Sequence, residues 1–261
     1  MRRIFTFVLI FIFCSSYIPS FANEKTKEEW NNRSARAETW FFENLPRHIG
    51  NDAKETVWNG WNALILVGGT ITTVSLHNYD SEIQSKFQSS RPFSKKFDDV
   101  LEVGFHPLIL GGASLLTLGI SELAGADKVA MTAGTLLEAL TLTEVVSLGL
   151  KYSIHRNRPD GSDSHSFPSA HTSGVFAMAS VTEILYGPWA GIPAYAVATI
   201  AGLSRIDSNT HFASDVATGA LIGTLIGLGT ARFHKKEFSK YFYLVPIIQE
   251  DEAGISMIHP F

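Results

Sequence analysis

Cysteine is almost missing from this chain: its 261 residues include one, Cys14. An internal disulfide is therefore excluded, and cysteine chemistry with it once the export signal that carries Cys14 is cleaved. Charge is also sparse, at 18% of residues against roughly 25% in ordinary soluble domains. With 45% hydrophobic residues, much of the chain must be buried in protein or in lipid. Formal net charge is −4 and no Lys/Arg run occurs, so nucleic acid is not an expected partner. Apolar–polar alternation of period two is rare, which argues against a sheet core. No internal period indicates repeats.

What is present begins with an export signal. Arg2 and Arg3 precede the apolar run Ile4 to Phe13, and Ser20-Phe21-Ala22 offers small residues for cleavage. The run is too short to favour a spanning helix, and bulky Phe13 argues against lipid attachment at Cys14. Cleavage after Ala22 would remove the cysteine and leave 19 basic against 25 acidic side chains, a net charge of −6. The expected location is therefore the periplasm or cell envelope.

Residues 23–52 form a polar arm carrying Trp30, Trp40, Phe41 and Phe42. Helical patterns follow over about 53–76, 97–121, 127–154, 171–186, 191–204 and 211–234. The expected fold class is all-α, a bundle of about six core helices spanning 53–234. In the 235–261 tail, apolar stretches flank Glu250 to Gly254 as in a short β-hairpin. Gly219, Gly223 and Gly227 repeat every fourth residue, marking a stripe where another helix approaches closely. Several uncharged stretches could span a bilayer, but Glu138 and Glu144 fall mid-helix, where lipid penalises charge. These acids favour an extracytoplasmic bundle lying against the membrane.

Three segments carry the chemistry. The first is Lys151-Tyr-Ser-Ile-His-Arg-Asn-Arg158-Pro159, the second Phe167-Pro-Ser169-Ala170-His171, the third Ser204-Arg205-Ile-Asp-Ser-Asn-Thr-His211-Phe-Ala-Ser-Asp215. Lys151, Arg158 and Arg205 offer cations from two segments, suited to the charge on a phosphoryl group in transfer. Ser169 and Ala170 stand at a helix start, where free N–H groups favour an anion. Asp215 lies four residues after His211, so on one helical face it can fix the imidazole tautomer and present Nε2 as a nucleophile. His171, elsewhere in sequence, would protonate the leaving oxygen. Each feature alone has an ordinary explanation: solvated helix-end charges, a serine cap, a surface i,i+4 pair. His155, Arg156 and His165 lie near the motif but off its defined positions. His48, His77, His106, His234 and His259 have no partners at metal-ligand spacing and are read as structural or solvated.

Together the segments resemble the signature of the type 2 phosphatidic acid phosphatase superfamily: Lys-X6-Arg-Pro, Pro-Ser-Gly-His, then Ser-Arg-X5-His-X3-Asp. This group includes class A acid phosphatases, membrane lipid phosphatases and vanadium haloperoxidases. Every spacing is met, and Ala170 replaces the glycine while retaining its N–H. The resemblance covers about 100–234. It implies that Lys151, Arg158, Ser169, the Ala170 amide and Arg205 hold phosphate. By the same resemblance His211 becomes phosphohistidine, His171 acts as acid and Asp215 orients His211, with no metal or cofactor. The expected substrate is a lipid-linked phosphate: phosphatidic acid, phosphatidylglycerol phosphate or a prenyl diphosphate. Alternatives are a broad-specificity soluble acid phosphatase, a vanadium haloperoxidase holding vanadate in the same cradle, and a non-catalytic phospholipid-binding bundle.

Overall fold

The structure is a computed structural model that describes residues 60–240, 243–249 and 252–258. The chain divides into units 1–50 and 51–261, and all described residues belong to the second. The expected export signal and aromatic arm lie outside the described residues. Among these residues are eight helices: α1 (Gly60–His77), α2 (Asp80–Ser90), α3 (Lys95–Gly104), α4 (Pro107–Ala124), α5 (Asp127–Ile154), α6 (Ala170–Tyr186), α7 (Pro188–Asp207) and α8 (Ala213–Lys240). Strands β1 (Tyr243–Gln249) and β2 (Glu252–Ile258) then pair antiparallel, with Tyr243 opposite Ile258 and Gln249 opposite Glu252.

The all-α expectation holds, and two differences raise the helix number. The expected 97–121 helix breaks at Phe105-His106, and α3 and α4 meet at a bend of 46°. Pro107 explains it: proline suits the first position of α4 but disfavours helical geometry in the residue before it. Second, α2 went unpredicted because its sequence, DSEIQSKFQSS, has no apolar stripe. It docks through polar groups instead. Gln84 Nε2 donates to the Ile206 carbonyl at 3.3 Å, and Gln88 Nε2 to that of Asp207 at 3.0 Å.

Helix α6 lies at the centre, packed by α5, α7 and α8, while α1 flanks α8 and α4 flanks α5. Its buried face is built of small residues, Thr172, Ser173, Gly174, Ala177, Ala179 and Ser180 among them. The glycine stripe of α8 meets it. A Cβ at Gly219 would sit 2.5 Å from the Ser169 carbonyl oxygen, and one at Gly227 2.5 Å from that of Ala177. A Cβ at Gly223 would overlap the Ser173 carbonyl and lie 2.9 Å from the Ala177 nitrogen. Backbone cannot yield as a flexible side chain can, so the helix-propensity cost of glycine, about 1 kcal/mol each, is accepted for this close approach. Its consequence for function is direct, because the contact holds the start of α6 against the start of α8.

The outer faces are apolar. Trp61, Leu64 and Ile71 on α1, Leu116 and Ile120 on α4, and Trp189 and Ile192 on α7 are all exposed. Exposed Thr70, Thr72, Thr141 and Thr199 each donate to the carbonyl four residues earlier, so the hydroxyls need no water. Lys128–Ile154 and Ala213–Lys235 are long and apolar enough to cross a membrane, and the bent α3–α4 pair would add a third span if counted as one. The objection from acidic residues in α5 falls away. Glu138 is turned inward and its Oε2 lies 2.5 Å from His234 Nε2, while Glu144 is half-buried. These outer faces present apolar surface enough to contact lipid.

Candidate active site

The three motif segments meet where α5 ends and where α6 and α8 begin. Lys151 occupies the last turn of α5, which stops because His155 adopts φ +52° and caps the Lys151 carbonyl. The Lys151 ammonium is buried and donates to the His165 carbonyl at 2.5 Å, drawing the following loop over the helix end. Within that loop Arg158 Nε donates to Asp163 Oδ1 at 2.9 Å. Its Nη1 lies 3.4 Å from His211 Nε2.

Ser169 is the N-cap residue of α6, yet its side chain caps nothing; it accepts from the Thr172 hydroxyl at 3.0 Å. The Ser169 hydroxyl proton therefore stays free for another acceptor. Ala170 opens the helix. Among described non-glycine residues positive φ occurs at Arg91, His155 and Asn209, so the backbone tolerates alanine in place of the motif glycine. The third segment curls back on itself. The Arg205 carbonyl accepts from the His211 and Thr210 amides at 3.1 and 3.2 Å, which accounts for the five-residue spacing between Arg205 and His211.

One residue ties two segments together. The Glu102 carbonyl oxygen lies 3.2 Å from His171 Nε2, and its carboxylate lies 3.3 Å from Arg205 Nη1. His171 and Arg205 are thereby neighbours. Arg205 is 4% exposed, and its Nε and Nη1 make no hydrogen bond among the described residues. A buried guanidinium with unused donors is costly unless an anion completes it. Ser169 N–H donates to the Asp215 carbonyl at 3.1 Å, joining the starts of α6 and α8.

His211 is 2% exposed, with Nε2 toward Arg158 and Nδ1 toward Asp215. Burial pushes its pKa down to about 4; Asp215 opposes this, while Lys151 and Arg158 reinforce it. The ring is therefore neutral across the physiological range. His171 is driven to about 3, by burial first and then by the charges of Arg205 and of His106. The expected hydrogen bond from His211 to Asp215 is longer than proposed from spacing: Nδ1 and Oδ2 are 3.7 Å apart. Asp215 is occupied by other donors. Oδ2 accepts from the Ser166 hydroxyl at 2.5 Å and the Phe212 amide at 2.9 Å, and Oδ1 accepts from Arg156 at 2.6 Å.

Sequence reasoning missed Glu102, Ser166, His106 and Asp80. His106 packs edge-on against His171, ring centroids 5.2 Å apart. Glu102, His106 and Asp80 lie far from the motif in sequence, so no local signal could have found them; Ser166 directly precedes the second segment, but nothing in its spacing marks it as a donor to Asp215. Arg156 was close to the motif but unassigned. His155 and His165 gather at the loop with Tyr152, whose ring centroid is 5.1 Å from that of His165.

A buried histidine with three cations, a second histidine and a carboxylate acting on one another is an arrangement suited to an anionic group. Residues 132–239 match the PAP2 superfamily model. That matched segment contains all three motif segments, from Lys151 to Asp215. A stretch of 80 residues is 48% identical to the lipid A 1-phosphatase of Porphyromonas gingivalis, covering 30% of this chain and 18% of that protein. The chain thus spans less than a fifth of that relative's length. Similar solved structures include the following two. The transmembrane PAP2-type phosphatidylglycerolphosphate phosphatase of Bacillus subtilis is 22% identical, with a TM-score of 0.48 over 68% of this chain and 96% of that one. LpxE of Aquifex aeolicus is 24% identical, with a TM-score of 0.45 over 59% and 94%.

Proposed function

We propose that this protein is a phosphatase that hydrolyses a phosphate ester of a lipid through a phosphohistidine intermediate. The observation that carries this reading is the setting of His211: a buried neutral imidazole whose Nε2 faces the Arg158 guanidinium and whose Nδ1 faces a carboxylate. Nε2 attacks phosphorus and the P–O ester bond breaks. Its electron pair leaves with the alcohol oxygen, which takes a proton from His171. Water then gives a proton to His171 and attacks phosphorus, and the P–N bond breaks to release phosphate. Arg158, Arg205, Lys151, the Ser169 hydroxyl and the Ala170 amide hold the phosphoryl oxygens throughout. Asp215 holds the imidazole and offsets the charge that forms on it.

His171 needs its proton when substrate is bound. Burial is the main cause of its low basicity and the Arg205 charge the next, and a phosphate between His171 and Arg205 would offset the second and favour the protonated ring. Because Nε2 is engaged by Glu102, Nδ1 is the atom that would serve the leaving oxygen.

Lipid substrate is favoured by the exposed apolar faces of α1, α4 and α7 and by the named activity of the P. gingivalis relative. The working domain is 53–234, longer than the family match, since α1 and α2 pack on α8 and the motif. Export through the 1–22 signal would put the site in the cell envelope. The test is phosphate release by full-length protein in detergent, offered phosphatidic acid, phosphatidylglycerol phosphate, lipid A, a prenyl diphosphate and an aryl phosphate, with chelator present. Lipids should be cleaved faster than the aryl ester, at a rate indifferent to chelator. Equal rates on all substrates would point to the broad-specificity reading, and loss of activity in chelator would contradict the mechanism.

The low basicity of His211 has a pH consequence. For free enzyme, kcat/KM should lose its dependence on this group above about pH 5 and decline as pH falls through about 4. An acidic limb centred near the ordinary value of 6.5 in a kcat/KM profile would contradict the buried setting. The same group favours the folded state fully above about pH 6.5 and loses that contribution between there and about pH 4, because the unfolded chain binds the proton first.

A further inference from the structure

We infer that Arg156 and Asp80, neither of them a defined position of the three-part motif, are positioning residues that hold the Asp215–His211 pair in register for attack. This rests on the phosphatase reading and adds to it the part of the fold that fixes the nucleophile.

The geometry is specific. Arg156 Nη1 donates to Asp215 Oδ1 at 2.6 Å and to the Ser214 hydroxyl at 2.7 Å. Nη2 donates to Asp80 Oδ2 at 2.7 Å. Asp80 in turn accepts from the Ser214 amide at 2.9 Å and the Ser214 hydroxyl at 2.5 Å. The Arg156 guanidinium also lies over the Phe212 ring, 4.3 Å from its centroid. Asp80 is 4% exposed, and the Arg156 side chain 19%. One planar cation thus links two buried carboxylates, one at the start of α2 and the other in the first turn of α8. Lysine could not reproduce this, because a point charge lacks the fork that reaches both at fixed angles. Asp215 is 3.7 Å from His211 Nδ1, so its orientation depends on these donors rather than on the imidazole. Arg156 reaches Asp215 Oδ1, whereas Arg158, two residues later, reaches His211 Nε2.

The other groups acting on His211 are Asp215 on α8, Lys151 on α5, Arg158 on the loop and His171 on α6. Arg205 on α7 acts on His171, and His77 on α1 lies 3.2 Å from Asp80. All are retained in the following variants.

The test measures kcat, KM, the acidic limb of kcat/KM and the unfolding temperature of full-length wild type, Arg156→Ala, Arg156→Lys and Asp80→Asn. Arg156→Ala should lower kcat about a hundredfold, the scale of a misplaced reacting group, with KM within about threefold. It should also move the acidic limb upward from about 4, since an unneutralised Asp215 carboxylate then favours the protonated imidazole. Arg156→Lys should keep the limb low while losing much of kcat, and Asp80→Asn should lose kcat without raising the limb. If Arg156→Ala does not fold, the last two variants decide. Wild-type kcat in both, or a loss confined to KM or to unfolding temperature, overturns the inference. A wild type inactive on every phosphate ester sinks the phosphatase reading instead. An active wild type, an inactive His211→Ala and unaltered Arg156 and Asp80 variants sink this inference alone.

Discussion

His211→Ala should abolish phosphate release, with a loss on the order of 10⁴-fold or more, the scale seen when a nucleophile is removed from a set of groups that act together. Among the described residues no other imidazole lies between Arg158 and Asp215. His171 is engaged by the Glu102 carbonyl, and its ring packs against His106 on the other side of the site. Because His211 is 2% exposed, alanine also leaves a cavity, and a simple loss of folding must be separated from a loss of chemistry. His211→Asn keeps more of the volume without the nucleophile. Its unfolding temperature should stay closer to that of wild type while its activity is as low as that of the alanine variant. Trapping with labelled substrate and an alkaline denaturing quench should show acid-labile phosphate on wild type and none on either variant. Activity in His211→Asn within tenfold of wild type would remove the phosphohistidine.

Arg205→Ala should lower kcat/KM by about 10² to 10³, the usual cost of removing a preorganised donor to transition-state charge. Its Nε makes no hydrogen bond among the described residues and its Nη1 meets only the Glu102 carboxylate, at 3.3 Å, so the guanidinium has donors to offer a phosphoryl group. Glu102 adds to the effect: its carboxylate, 3.3 Å from Arg205, would be left beside the phosphate uncompensated. Arg205→Lys restores charge without the planar fork and should recover no more than about tenfold of the loss. Inhibition by vanadate should weaken in parallel, since it also takes up trigonal-bipyramidal charge. A change below fivefold in Arg205→Ala would show that Lys151 and Arg158 suffice, and would remove Arg205 from the clamp.

The motif spacings can be read because each is a local constraint. Lys151 and Arg158 are joined by one helix end and one loop. The Arg205–His211 interval is the length of a closed turn, and His211–Asp215 is one helical turn. Such intervals are set by backbone geometry within a few residues, and the sequence carries them without knowledge of the rest. The glycine stripe is legible for a similar reason. Absent side chains at every fourth residue announce a close neighbour, though not that the neighbour is α6. By contrast, helix α2 has no apolar period, because its buried residues Asp80 and Gln84 face polar groups more than a hundred residues away. The break at Phe105-His106 did carry a signal, the following proline, which the continuous apolar pattern outweighed.

Sequence alone therefore determined the all-α class, the order of the helices, and the set of cations, imidazoles and carboxylate from which a phosphate site can be built. Tertiary structure alone decided which arginine of 156 and 158 faces His211 and which turns behind Asp215. It also decided that Glu138 meets His234 inside the bundle rather than lipid, and that Glu102 joins His171 to Arg205. The physical reason is the same in each case. A charged side chain's partner is chosen by distance and burial in the folded chain, and residues far apart in sequence share no spacing that could reveal it.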